Sequence, residues 1–180
     1  MKKILLLFIL LAAKQIGFSQ LVPHHFSIVD DRITWERVFD QDHIRFDDLL
    51  NTLKSQEPLT NFEVDNQRIT FYSKRIPIHL GFIPKPYRQF PSLYATYGFK
   101  GYFVIDYKDG KFKVRVTNIQ VDTERNPNGD SVKAPLELFA IKDLSKEYVL
   151  GKKFLEHEAY VFNFTLINLF KILKETDPNW

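Results

Sequence analysis

Only a few stretches of this 180-residue chain bring chemistry-bearing side chains close enough to act together. The stretch "ERNPNGD" (124–130) has the spacing of a calcium loop. Counted from Glu124, Asn126 and Asn128 fall at ligand positions 3 and 5, Gly129 at the turn position 6, and Asp130 at position 7. Position 12 should carry a bidentate glutamate but is Pro135, and position 1 is Glu rather than Asp, so turn chemistry at Asn-Pro and Asn-Gly accounts for the same residues better. His24-His25 could ligate a metal with Asp30 and Asp31, or with the "EHE" of 156–158. Glu156 and Glu158 are two residues apart, and on a helix they point about 200° from each other, so they cannot chelate together. His43 and His79 have no partner visible in the sequence. No metal ligand, cofactor-binding residue or cofactor is assigned.

Covalent catalysis has equally little to work with. The chain contains no cysteine and no Gly-x-Ser-x-Gly, and none of its seven glycines forms a phosphate-cradling loop. Of the two carboxylate pairs, Asp47-Asp48 lies where a helix begins and acids favour the dipole, and Asp30-Asp31 stands in the N-terminal lead. No catalytic residue is assigned. The remaining candidate is an aromatic surface for a glycan or peptide, formed by Tyr87, Arg88, Phe90, Tyr94 and Tyr97 around Pro91. Core packing and loop anchoring compete for the same rings.

Placing these residues requires the elements around them. "ITWERVF" (33–39) reads as a strand, and Phe46, Leu49, Leu50 and Leu53 recur at helical spacing with Asp42 as the expected N-cap and Glu57-Pro58 as the stop. "NFEVDNQRITFYSKRIPIHLGF" holds two or three short strands with a turn at Asp65-Asn66. Pro77, Pro84, Pro86 and Pro91 argue against central strands there, and 83–92 reads as an extended surface loop.

"DYKDGKFKVRV" (106–116) is the most legible stretch. A two-residue Asp109-Gly110 turn opposes Lys108 to Lys111, and the later pairs follow: Tyr107 with Phe112, Ile105 with Val114, Phe103 with Val116. The other face pairs Asp106 with Lys113 as an ion pair, Val104 with Arg115 and Tyr102 with Thr117. A one-residue slip would bury the lysine and arginine, so the register is strongly set. "DTERNPNGDS" (122–131) reads as a polar loop, and "APLELFAIKDL" (134–144) suits a strand or a short helix. From Lys152 to Glu175 the chain reads as a helix whose apolar face is wide enough to leave surplus for a dimer or ligand contact.

The N-terminus "MKKILLLFILLAAKQIGFSQ" has the layout of a secretory signal peptide. Lys2 and Lys3 precede an unbroken apolar run from Ile4 to Ala13, and Gly17 and Ser19 suit cleavage before Gln20. The run is too short to span a bilayer. Removing residues 1–19 takes away Lys2, Lys3 and Lys14, so the full chain's 25 basic against 22 acidic residues becomes 22 against 22. The basic excess belongs to targeting, and nucleic acid is not an expected partner. The expected organisation is a signal peptide (1–19), a lead (20–32), one domain (33–175) and a tail (176–180), without a transmembrane segment in the mature chain and placed in the periplasm or outside the cell.

Segregated strands and helices imply an α+β fold: a curved antiparallel sheet with helices packed on one face. "WERVF", the "FDDLLNTL" helix and "GYFVIDYKDGKFKVRVTNI" together resemble an exported bacterial domain of unknown function, number 4468, over roughly residues 33–175. Asp109, Gly110, Lys111, Asn118 and Ile119 stand at the hairpin positions that carry the likeness, with Lys111 and Phe112 where that family usually has arginine and tyrosine. The resemblance implies a TATA-binding-protein-like (TBP-like) fold in β-α-β-β-β-β-α order and carries over no catalytic residue. The expected function is an exported, non-enzymatic binding domain for a protein partner, an envelope component or an apolar small molecule held between sheet and C-terminal helix. The alternative is a secreted hydrolase whose site is assembled from distant residues.

Overall fold

The computed structural model describes residues 23–41, 44–85, 97–125, 131–143 and 148–171. It is an α+β domain built on a seven-stranded antiparallel sheet, with helices packed against one face. The strands are β1 (Phe26–Val29), β2 (Arg32–Asp40), β3 (Leu59–Asp65), β4 (Arg68–Ser73), β5 (Phe99–Lys108), β6 (Lys111–Arg125) and β7 (Ser131–Pro135). Their spatial order is β1-β2-β6-β5-β4-β3, with β7 paired to the far end of β6. Helix α1 (Phe46–Lys54) follows β2. A single turn, α2 (Glu137–Ala140), leads into a two-stranded ribbon of β8 (Ile141–Asp143) and β9 (Tyr148–Leu150). A π-helical turn (Phe154–Glu158) then opens into α3 (Ala159–Lys171).

The central hairpin has the register its turn requires. Lys108 opposes Lys111, Tyr107 opposes Phe112, and the pairing holds through Tyr102 with Thr117. Asp109 and Gly110 both have positive φ, the backbone of a type I′ turn. Beyond Thr117 the register shifts: Lys100 meets Gln120, so Gly101 faces both Asn118 and Ile119. Asn118, with φ of 50°, forms this bulge. It switches β6 from burying Phe112, Val114 and Val116 to burying Ile119 and Val121, which keeps one apolar face along the whole strand.

The expected Asp106–Lys113 ion pair does not form as such. Asp106 accepts from Arg68 Nε on β4 at 2.6 Å, while Lys113 and Arg115 converge on Glu36 of β2, Lys113 Nζ at 2.7 Å from Oε1. Each charge pairs outward with the neighbouring strand rather than within the hairpin. Desolvation pushes the Glu36 carboxyl up, but the hydrogen bonds from Lys113 and Arg115 and their charges outweigh it, so it titrates below its ordinary 4.5.

Other expectations change in detail. The sheet begins at Phe26, inside the segment expected as a lead, because β1 pairs with β2 across a two-residue Asp30-Asp31 turn with positive φ at both positions. That carboxylate pair is a turn. The α1 N-cap position is Arg45, without a side-chain cap, and not Asp42, which lies outside the described residues. Residues 122–125 are strand rather than loop, paired to β7, and 134–143 combines the end of a strand, a helical turn and a new strand. The β-α-β-β-β-β-α order is therefore present with β1, β7 and the β8–β9 ribbon added. Residues 1–19, expected as a signal peptide, lie outside the described residues.

The core lies between the sheet and α3. Phe170 meets Phe39, Phe103 and Phe112, and Phe162 meets Phe99 and Phe154, all with ring centroids between 5.3 and 6.5 Å. Trp35 Nε1 donates to Asn163 Oδ1 at 3.0 Å, so these two polar groups of the apolar layer satisfy each other. No helix among the described residues is long and apolar enough to cross a membrane.

Candidate functional site

A cleft of about 1580 Å³ opens along the C-terminal half of α3 and reaches the aromatic layer at Phe39 and Phe170. One wall is the end of β2, from Arg37 to Gln41. The opposite wall is the segment after β4, with Ile76, Pro77, His79 and Phe82, and Gln56 and Pro58 close the side near α1. The floor is α3 from Phe164 to Lys171. Phe164, Ile167 and Leu169 are only half-buried here, so the wide apolar face of the C-terminal helix is left partly open. Phe82 is 76% exposed, an unusual position for a phenylalanine that has a wall to join.

Backbone and side-chain contacts together hold the second wall. Ile76 and Phe99 exchange both backbone hydrogen bonds, at 2.6 and 3.1 Å, closing the base of the 77–98 excursion. Arg75 Nε then donates to the buried Asp122 carboxylate at 2.6 Å, and its terminal nitrogen donates to the Tyr97 carbonyl. Gly98 completes the base with φ of +132°; a Cβ there would stand 2.8 Å from the Ile76 carbonyl oxygen. Gly98→Ala is expected to cost about 1–3 kcal/mol from backbone strain alone, read as a lowered urea midpoint. An unchanged midpoint would show that the base of the excursion is not held as described.

The polar groups of the cleft are mostly committed elsewhere. Asp40 pairs with Lys111 Nζ at 2.8 Å, Thr165 Oγ1 donates to the Val161 carbonyl of its own helix at 2.9 Å, and His79 faces the Phe82 ring edge-on. The imidazole, carboxylate and hydroxyl in this cleft therefore do not form a hydrogen-bonded catalytic set. Arg37 lies with its guanidinium carbon 5.4 Å from the Phe39 ring centroid, a cation–π contact, and Lys171 stands at the end of α3. Neither pairs with a carboxylate among the described residues. Gln56 Nε2 donates to the Leu169 carbonyl at 3.2 Å, which leaves its Oε1 buried with no protein donor, and Gln41 Oε1 is in the same position. Both oxygens can accept from a donor that enters the cleft.

The aromatic surface expected at 87–97 lies outside the described residues except for Tyr97, which is half-buried at the base of the excursion with its carbonyl bound by Arg75. The calcium-like residues 126–130 also lie outside them, and Pro135 is a strand residue paired with Gln120. His24 and His25 do not form a loose lead. The His24 ring stands edge-on to Tyr160 at 5.3 Å and the His25 ring faces Trp35 at 6.3 Å. No cluster of three metal-ligating side chains occurs among the described residues.

Burial pushes both imidazoles below their ordinary 6.5, and at His25 the charges of Arg37 and His24 push the same way. The folded chain therefore binds these protons more weakly than the unfolded chain. Their contribution is complete above pH 6.5 and is lost as pH falls through the folded values. Glu36 adds a second loss below pH 4.5. His24→Asn/His25→Asn keeps residues that tolerate the positive φ of 58° and 66°, and is expected to abolish the first loss while leaving the second in a pH series of urea melts. Persistence of the first loss would assign it to other groups.

No protein-family profile matches the chain, and no curated protein matches it. Among solved structures, it is similar to a TBP-like protein from Parabacteroides distasonis, with 10% identity and a TM-score of 0.48 over 80% of this chain and 91% of that one. A DUF4468 family protein from Bacteroides ovatus matches with 11% identity and a TM-score of 0.44 over 82% of this chain and 89% of that one. These two names are the family and fold that the sequence resembles.

Proposed function

We propose that this chain is an exported, non-enzymatic binding domain that takes its ligand in the cleft along α3. The observation that carries the reading is the cleft itself, about 1580 Å³ with half-buried apolar side chains on its floor. Ordinary small-molecule pockets run to roughly 300–1,000 Å³, so an extended ligand suits it better than a compact one. The separate engagements of His79, Asp40 and Thr165 favour binding over hydrolysis. Export rests on the N-terminal pattern of Lys2, Lys3, the apolar run and Gly17-x-Ser19.

Native mass spectrometry of residues 20–180, purified gently from an exporting Gram-negative host, tests the binding reading. A releasable extra mass that disappears when Ile167→Trp narrows the cleft is the expected result. A bare monomer or dimer mass from both chains would turn the search toward protein partners in the envelope. Export itself is read from the N-terminus of the full 180-residue chain expressed in that host: Gln20 as first residue supports it, and a retained Met1 overturns it.

A further inference from the structure

The geometry points to the ligand class of this cleft: a single-chain amphiphile with a carboxylate head, its chain on α3 and its head at Arg37 and Lys171. The inference rests on the cleft reading above and adds a charge to it. Between the polar Thr165, Asn168 and His79, the floor and far wall carry Phe164, Ile167, Leu169 and Phe82, which offer surface to a hydrocarbon chain. Burying such a chain contributes about 0.8 kcal/mol per methylene, so length rather than any single contact supplies affinity.

The charges of the lining are not balanced. Among the described residues of the lining Asp40 is the one carboxylate, and it pairs with Lys111 at 2.8 Å. Arg37 and Lys171 have no such partner among the described residues. Arg37 is half-buried and rests over Phe39, so its guanidinium is held at the cleft wall instead of sweeping through solvent. A planar guanidinium offers two parallel N–H donors that match a carboxylate, and the Lys171 ammonium, on the lining of the same cleft, adds a second positive charge. A cationic head would meet two positive charges that no carboxylate pairs among the described residues, and an uncharged head would leave them unanswered.

Titration calorimetry separates the head group from the chain. The probes are decanoate, decanol, decyltrimethylammonium and acetate, tested on the chain of residues 20–180 and on its Arg37→Gln/Lys171→Gln variant. Decanoate is expected to bind at least about tenfold more tightly than decanol, with decyltrimethylammonium and acetate weaker still. In the variant, decanoate is expected to fall to the affinity of decanol while decanol is unchanged, a pattern that a damaged fold would not give. Equal affinity for decanoate and decanol, or decanoate binding untouched by the double substitution, overturns the head-group assignment and leaves the cleft reading standing. Acetate binding as tightly as decanoate overturns the role of the chain. Failure of all four probes overturns this ligand class; whether any other ligand occupies the cleft is then decided by the mass measurement.

Discussion

Phe170→Ala is expected to lower the unfolding free energy by about 3–5 kcal/mol, a large fraction of what a domain of this size has to lose. Phe170 is fully buried in the last turn of α3, where one ring meets three others from separate strands: Phe39 of β2 at 5.5 Å, Phe103 of β5 at 6.2 Å and Phe112 of β6 at 6.4 Å. Phe39 stacks on Phe112 at 5.1 Å and Phe71 stacks on Phe103 at 4.9 Å, so the contact extends to β4. Truncation opens a cavity whose walls are held by the sheet and cannot collapse, which puts the cost well above simple transfer. Phe170→Leu retains most of the volume and is expected to cost under about 1.5 kcal/mol. Phe82→Ala, at a residue 76% exposed, is expected to leave stability within about 0.5 kcal/mol. Urea melts of the three variants decide it. A Phe170→Ala cost no larger than that of Phe82→Ala would mean that α3 is not anchored where its rings converge.

The contrast between these two phenylalanines follows how much of the molecule was legible in its sequence. The hairpin of β5 and β6 could be registered residue by residue, because Asp109-Gly110 sets the loop length and a slip would bury charge. The change of phase after Thr117 could not. Val116 and Ile119 are three apart, which suits a helix or a bulge equally until the partner strand is known. The expected ion pair failed for a related reason. Asp106 and Lys113 are opposed in the register, but their charges are shared with Arg68 and Glu36, whose positions depend on strand order. Residues 122–125 look like loop by polarity because the buried Asp122 is a polar residue with a partner 47 positions away. The cleft draws on four separated segments, and only the surplus apolar face of α3 announced it locally.

That Arg75–Asp122 contact carries the second large effect. The Asp122 side chain is 4% exposed and the Arg75 side chain 42%, so the two ends of the pair are not equivalent. Arg75→Ala takes this guanidinium from a buried carboxylate, and breaking a buried pair from one side costs up to about 3–5 kcal/mol. Asp122→Asn leaves the arginine free to turn toward water, and the amide can still accept a hydrogen bond from it, so the expected cost is smaller, about 1–2 kcal/mol. The double variant should fall below the sum of the two, because removing Arg75 costs less once no charge remains at position 122. Arg75 also holds the Tyr97 carbonyl, so Arg75→Ala is expected to loosen the base of the 77–98 excursion and speed amide exchange at Ile76 and Phe99, the pair that closes it. Asp122→Asn should leave that exchange slow. Equal costs for the two single variants would place the energy in the pair itself, and exchange unaffected by Arg75→Ala would remove the arginine from the wall of the cleft.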